Sequence, residues 1–293
     1  MDISIIIVNY KTKDLTINAI TSVIEKTKGI SYEIFVVDNN SQDGSIEEIE
    51  KSFPDINIIK NPVNSGFGAA NNLAIKQSHG KYILCLNPDT LLINNAIKIM
   101  FDYMESEENQ KTAVCGGALY DEQNNPCACC GHLPSFTGIL WKIGVRNFFK
   151  KTYTGNFSLV MTVEDLSPNS DNIGYISGAD IFFRKSVLEE TGLFDEQFFM
   201  YYEETDLCKR IKDKGYAVRL IPKAKITHLE GKSSNNRLLA MQRSKKSEFY
   251  YFKKHDRYAA IWLKPVYLFL YFIDGYILNH KISAEMLKFI WEL

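Results

Sequence analysis

No uninterrupted apolar run in this chain of 293 residues reaches the roughly 18–20 residues that a membrane span needs. No basic residue precedes the first apolar stretch, and Ile3–Val8 is too short for a signal-peptide core. A cytoplasmic protein is therefore expected. Neither sign of charge is in excess: 34 Lys+Arg against 35 Asp+Glu give a formal charge of −1, which argues against a general binder of polyanions such as nucleic acid. Internal repeats and low-complexity linkers are absent. Residues 1–240 are accordingly read as one domain and residues 241–293 as a tail. Zinc-ligand pairs are absent too: Cys127, Cys129, Cys130 and His132 fall within six residues, whereas structural zinc sites take two separated pairs. The other cysteines, Cys85, Cys115 and Cys208, sit among apolar neighbours as small core residues.

What is present is an ordinary globular composition, 45% hydrophobic and 24% charged. The first half alternates short β-branched runs with helical spacing. Strands are expected at Ile3–Asn9, Glu33–Val37, Ile56–Lys60 and Lys81–Leu86, and helices at Thr12–Lys28, Ser45–Phe53, Ala70–Ser78 and Asn94–Glu105. That order predicts a parallel sheet with right-handed crossovers. Further strands are expected at Val114–Tyr120, around Ile173–Arg184 and at Ala217–Ile221, the last closing on Pro222, with helices at Val187–Gly192 and Glu203–Lys214. Residues 136–172 carry no clear pattern and suit a lid or excursion.

Several motifs carry chemistry. The buried run Tyr82–Leu86 ends in Asn87-Pro88-Asp89-Thr90, which is either a plain turn or a carboxylate held out for a divalent cation. Asn9, Asp38 and Asp89 lie at one expected sheet edge, where open α/β sheets bind ligands. Glycines 66 and 68 in Asn64–Asn72 open a helix and let its backbone approach a ligand. Glu203, Glu204 and Asp206 start a helix, where capping alone favours acids, yet adjacent carboxylates also raise one another's pKa toward a general base. His228 follows a strand and is either structural or a ligand.

In this order, Ile-Ile-Val-Asn-Tyr at the start, Val36–Ser41, Asn64–Asn72, Leu86–Thr90, Ser177-Gly178-Ala179 and Phe199–Asp206 resemble the family 2 inverting glycosyltransferases, most closely their rhamnosyltransferase-like branch. The resemblance spans about residues 3–235. It implies a GT-A fold: a Rossmann-like, mostly parallel α/β sheet flanked by helices, here followed by a C-terminal helical tail. It implies that Asp38 binds the base of a nucleoside-diphosphate sugar (dTDP- or UDP-linked), with Asn9 and Tyr10 beside it and Asn64, Gly66 and Asn71 bordering nucleotide and sugar. Asn87 stands where the family's Asp-x-Asp motif has its first aspartate. Asp89 and His228 would hold Mn2+ or Mg2+, and Glu204 would be the catalytic base where aspartate is more usual, with Asp206 on the same helix as its nearest rival or as an acid that orients the site beside the substrates; Gly178 and Ala179 would form part of the acceptor-side wall. The implied acceptor is a hydroxyl of a glycan or lipid-linked molecule in cell-surface polysaccharide synthesis.

Two other classes remain open. A nucleotidyltransferase would show a glycine-rich phosphate loop after the first strand, and Asn9-Tyr10-Lys11-Thr12 has no glycine. A non-catalytic nucleotide-sugar module is suggested by Asn87 and by the longer Glu204. In the tail, Arg243, Lys245, Lys246, Lys253, Lys254, His255 and Arg257 precede an aromatic-aliphatic stretch, Trp262–Leu278, broken by Lys264, Pro265 and Asp274. It suits either a helix resting on the inner face of the plasma membrane or a helical pair that packs on the domain or joins a homodimer.

Overall fold

The computed structural model describes residues 1–140, 160–166, 173–229, 237–272 and 281–293. They group into two compact units. The first is formed by 1–133, 160–166, 173–197 and 203–229; the second by 134–140, 198–202, 237–272 and 281–293.

The first unit is built on β1 (Ile3–Asn9), α1 (Lys13–Lys26), β2 (Tyr32–Asp38), α2 (Ser45–Ser52), β3 (Asn57–Lys60), α3 (Phe67–Ile75) and β4 (Tyr82–Leu86). β1 is buried along its whole length, and Ile3, Ile5, Ile6 and Ile7 have no exposed surface. Burying each such side chain contributes about 2 kcal/mol, which is why this β-branched run forms a central strand rather than an edge. Helix α1 turns Ala19, Ile20 and Val23 into the same core. After β4 come β5 (Thr90–Leu92), α4 (Ala96–Glu105), β6 (Thr112–Tyr120), the short pair β7 (Cys130–Gly131) and β8 (Tyr175–Ile176), then β9 (Asp180–Arg184), α6 (Lys185–Thr191), α7 (Glu203–Asp213) and β10 (Ala217–His228). The label α5 is kept for Phe136–Leu140 of the second unit.

The large sheet has eight strands in the order β3-β2-β1-β4-β9-β6-β10-β5. β1, β2, β3, β4, β6 and β10 are parallel; β9 runs against β4 and β6, and β5 against β10. The mostly parallel, helix-flanked sheet is the expected GT-A arrangement, with β9 as an antiparallel insertion at its middle. The expectation that Pro222 closes a strand is corrected. β10 continues to His228 through a register shift between Ile221 and Lys225, where proline's missing N–H leaves no ladder bond broken. The Asn94 side chain clasps the bulge, donating to the Lys223 carbonyl at 2.8 Å and accepting from the Lys225 N–H at 3.1 Å. Gly117 of β6 lies against it, since a Cβ there would stand 2.7 Å from the Ala224 carbonyl.

The second unit holds α5, α8 (Arg237–His255), α9 (Arg257–Phe272) and α10 (Lys281–Glu292). Its described tail has three helices where two were expected. Ile139, Phe198, Tyr251, Phe252, Leu263 and Ile290 make its core. Glu248 is buried, accepting from the Tyr202 hydroxyl at 2.9 Å and from the Lys245 ammonium at 2.6 Å. No described helix is long and apolar enough to cross a membrane. Most of the 136–172 excursion and the end of the Trp262–Leu278 stretch lie outside the described residues.

Candidate active site

β1 and β2 pair so that Asn9 stands beside Asp38 at their C-terminal ends. Asn9 is completely buried. Its amide donates to Asp38 at 2.8 Å and to Ser41 at 3.0 Å, and its carbonyl accepts from the hydroxyls of Thr12 and Thr16 at 3.0 Å. Asn9 was expected to line the base pocket; its polar atoms are all taken up within the protein, and it aims Asp38. The second Asp38 oxygen accepts from the Ser41 N–H at 3.1 Å. Tyr10 beside it is 43% exposed and offers an aromatic face at the strand end.

Asn39 was not singled out by its sequence, and it is the hub of this edge. It donates to the Asn64 side chain at 2.9 Å and the Gly66 carbonyl at 3.2 Å, and accepts from Asn61 at 2.8 Å and the Ser65 N–H at 3.1 Å. The loop 61–66 is thus sewn to β2. Gly66, at φ 89°, supplies the left-handed turn that opens α3. Gly68 serves packing, because a Cβ there would lie 2.9 Å from Phe194 and 3.4 Å from the Cβ of Glu203. Asn71 is buried, donating to the Phe67 carbonyl at 2.9 Å while its own carbonyl oxygen has no partner.

The segment Asn87–Thr90 is a turn, with the Asn87 carbonyl accepting from the Thr90 N–H at 3.3 Å and its hydroxyl at 2.7 Å. The turn presents Asp89, which is buried and 3.4 Å from the His228 Nε2. His228 reaches it because the end of β10 pairs with β5, His228 opposite Thr90, and the Leu229 N–H donates to the Asp89 carbonyl at 2.9 Å. The Asn87 N–H donates to the Ala179 carbonyl at 2.9 Å. Ala179 is buried and contributes this backbone contact, while Gly178 is partly exposed near Phe67. Among the described residues no group of three or more His, Cys, Asp and Glu side chains gathers as a complete metal cage. A carboxylate with one imidazole nevertheless fits a hard divalent cation whose remaining positions are filled by phosphate oxygens and water.

At the head of α7, Glu203 is buried, with one carboxyl oxygen unpartnered. Burial, and then the charge of Glu204, push its pKa well above the carboxylate range, so it keeps its proton. Glu204 is half-buried and its pKa is raised to about 7 by burial, against partial relief from the N–H groups of the helix start and the Thr205 hydroxyl. The backbone just before the pair is strained: Tyr201 and Tyr202 both lie in the left-handed region, at φ 69° and 70°, which costs a non-glycine residue about 1 kcal/mol. Asp206 does not join the site. It is fully buried and paired with Arg210 at 2.9 Å, whose guanidinium also donates to the Thr191 and Leu193 carbonyls at 2.7 Å. The expectation that Asp206 borders a substrate is corrected to a structural clamp between α7 and the chain after α6.

A further buried acid escaped sequence reasoning. Asp180 is directly opposite Gly117 where the β6–β9 ladder has ended after Cys115 and Phe182, and its carboxylate accepts the Gly117 N–H at 2.5 Å in place of a strand carbonyl. Burial pushes its pKa well above the usual range. It holds β9 to β6 one residue from Ala179.

Asp38 ends β2 and Asp89 follows β4, the two strands that flank β1, and Glu203 at the head of α7 packs against Gly68 of α3. Residues 4–127 match the model of the family described as glycosyl transferase family 2. The match covers less than half of the chain and marks the protein as a glycosyltransferase with a family 2 domain. It resembles rhamnosyltransferases and has a GT-A fold. It is 23% identical over 249 residues, 80% of this chain and 78% of the relative, to the N-acetylglucosaminyl-diphospho-decaprenol L-rhamnosyltransferase of Mycobacterium tuberculosis. It is 26% identical over 235 residues, 78% of this chain and 69% of the relative, to the dTDP-rhamnosyl transferase RfbF of Shigella flexneri. Among solved structures it is similar to the mannosyltransferase PcManGT of Pyrobaculum calidifontis, solved with GDP-Man and Mn2+. There the TM-score is 0.58 at 12% identity, covering 99% of this chain and 84% of that one. The enzyme spans only 44–64% of three further solved structures that it matches.

Proposed function

We propose that this glycosyltransferase moves a hexose, rhamnose first among the candidates, from a dTDP- or UDP-sugar to a hydroxyl of a glycan or lipid-linked acceptor, inverting the anomeric centre. The observation that carries the proposal is the Glu203–Glu204 pair at the head of α7: one carboxyl buried with an unpartnered oxygen, the other half-buried beside it. The named rhamnosyltransferase relatives support the donor class and the lipid-linked acceptor. Work on such an acceptor would place the enzyme at the cytoplasmic face of a membrane.

Asp38, aimed by Asn9 and Ser41, receives the base of the donor, with Tyr10 against it. Asn64 and Gly66 border the ribose and phosphates, and Asn71 offers its unpartnered carbonyl oxygen to the same region. Asp89 and His228 would hold Mn2+ or Mg2+, which when bound neutralises charge growing on the departing diphosphate. Asn87 in place of an acid leaves one fewer negative charge there. Glu204 takes the proton of the acceptor hydroxyl as its oxygen bonds to the anomeric carbon. The bond from that carbon to the diphosphate oxygen breaks, and the nucleoside diphosphate leaves with the electron pair.

The test incubates the full chain with a panel of dTDP-, UDP- and GDP-sugars, with and without Mn2+, in the presence of glycan and polyprenyl-linked acceptors. Mass spectrometry reads the products. Mn2+-dependent release of nucleoside diphosphate with a glycosylated acceptor is expected from a dTDP- or UDP-sugar. Binding without turnover on every pair would favour a non-catalytic module, and release of pyrophosphate a nucleotidyltransferase.

A further inference from the structure

Helix α9 is apolar on two opposite faces. Ala259, Leu263 and Tyr267 turn into the core of the tail unit. On the other side Tyr258, Ile261, Trp262, Pro265 and Phe269 recur at helical spacing and are exposed, Tyr258 by 84%, Trp262 by 62% and Phe269 by 64%. These five side chains fall within an arc of about 100° on a helix turning about 100° per residue. Single exposed apolar residues are ordinary, but a continuous stripe of large ones marks a contact surface. A helix apolar all round belongs in a core or against lipid.

Charge decides between occupants. Residues 237–293 carry ten Lys/Arg against five Asp/Glu, whereas residues 1–236 carry 24 against 30. The positive excess of a nearly neutral chain is thus collected in the tail. Arg257 and Lys264 fall along one border of the stripe by helical geometry. Lys264 donates to the Trp291 carbonyl at 3.1 Å, drawing the last turn of α10 alongside, where Trp291 is 72% exposed. A second copy of the chain would bring the same positive charge to the contact. An anionic bilayer brings the opposite charge and an apolar layer beneath it. At 16 residues α9 is about 24 Å long, too short to cross a hydrocarbon core of about 30 Å, so it lies along the surface.

We infer that α9 is an interfacial helix, seated in the headgroup layer of an anionic bilayer with Tyr258, Ile261, Trp262 and Phe269 toward the acyl chains and the basic residues toward the phosphates. The inference sharpens the membrane placement proposed above, yet its test does not need a known donor. The full chain is floated with phosphatidylcholine vesicles, with and without phosphatidylglycerol. Flotation is expected with the anionic vesicles and is weakened by salt. The Trp262→Ser/Phe269→Ser variant is expected to bind them at least about tenfold more weakly at an unchanged Tm. Lys253→Glu/Arg257→Glu, which leaves the stripe intact, is expected to lose the preference for anionic lipid. Transfer to a water-soluble acceptor, once a donor is known, stays at the level of the unaltered enzyme in both variants. No flotation with anionic vesicles, flotation unchanged by both variants, or a lipid-free dimer that the first variant dissociates would each overturn the inference.

Discussion

Asp38 and Glu204 are both candidate site residues and are treated in opposite ways. Asp38 accepts hydrogen bonds on both oxygens from donors already in place, an amide at 2.8 Å and a backbone N–H at 3.1 Å. Glu204 lies beside a buried acid with an unpartnered oxygen, and burial lifts its pKa to about 7. A carboxylate that recognises a ligand gains from being fixed in advance. A carboxylate that must take a proton gains from poor solvation, which raises its basicity into the working pH range. The contrast separates a carboxylate held by fixed donors from a poorly solvated glutamate pair.

The sharpest way to break this contrast is Glu204→Gln. It keeps the shape and removes the base, so transfer should fall by about 10²–10⁴-fold while nucleotide affinity stays within a factor of about three. Parallel measurement of turnover and of nucleotide binding by calorimetry checks it; retained turnover would mean that Glu204 is not the base. On the Asp38 side, Asn39→Ala removes the hub that ties loop 61–66 to β2 and strands buried partners. It should cost about 2–3 kcal/mol of stability in denaturant unfolding, and weaken nucleotide binding more than it slows turnover at saturation.

The pH dependence follows from the same pair. Activity should rise as pH passes through about 7, where Glu204 loses its proton, and Glu204→Gln should abolish that rise. The sign for stability is opposite. The folded pKa lies above the unfolded one, so the neutral form favours folding below about 4.5, and that advantage is lost as pH rises through 7. Glu204→Gln should therefore gain stability relative to the unaltered enzyme at pH 8 and little at pH 4, by about 1 kcal/mol once solvent screening of a half-buried group is allowed for. Thermal unfolding across pH measures it.

Much of the first unit was legible because its strands are local β-branched runs and its helices show plain periodicity. Glu204, Asp89, His228 and Asp38 could be put forward as candidates from ordered motifs. The antiparallel β9 between β4 and β6 could not, since strand order depends on long-range pairing that no local pattern encodes. Nor could the partners of Asn9 and Asp206: both look like ligand groups in one dimension, and only the fold reveals Thr16 below one and Arg210 one turn from the other. Asp180 lay hidden for the same reason, as its role comes from a ladder that ends two residues early on the neighbouring strand.

The bulge in β10 makes chain length itself a determinant of the Asp89–His228 corner. Ile221 pairs with Gly117 and Lys225 with Ala118, so the three residues between them occupy a single step of the neighbouring strand. Side chains alternate faces along a strand, so a register slip of one residue exchanges the two faces. One residue added there, if the extra length slid into the strand, would bring Thr227 to the place of His228 beside Asp89, and one removed would bring Leu229. The distance between a proline and a histidine, counted in residues, is thus as much a part of the site as the histidine.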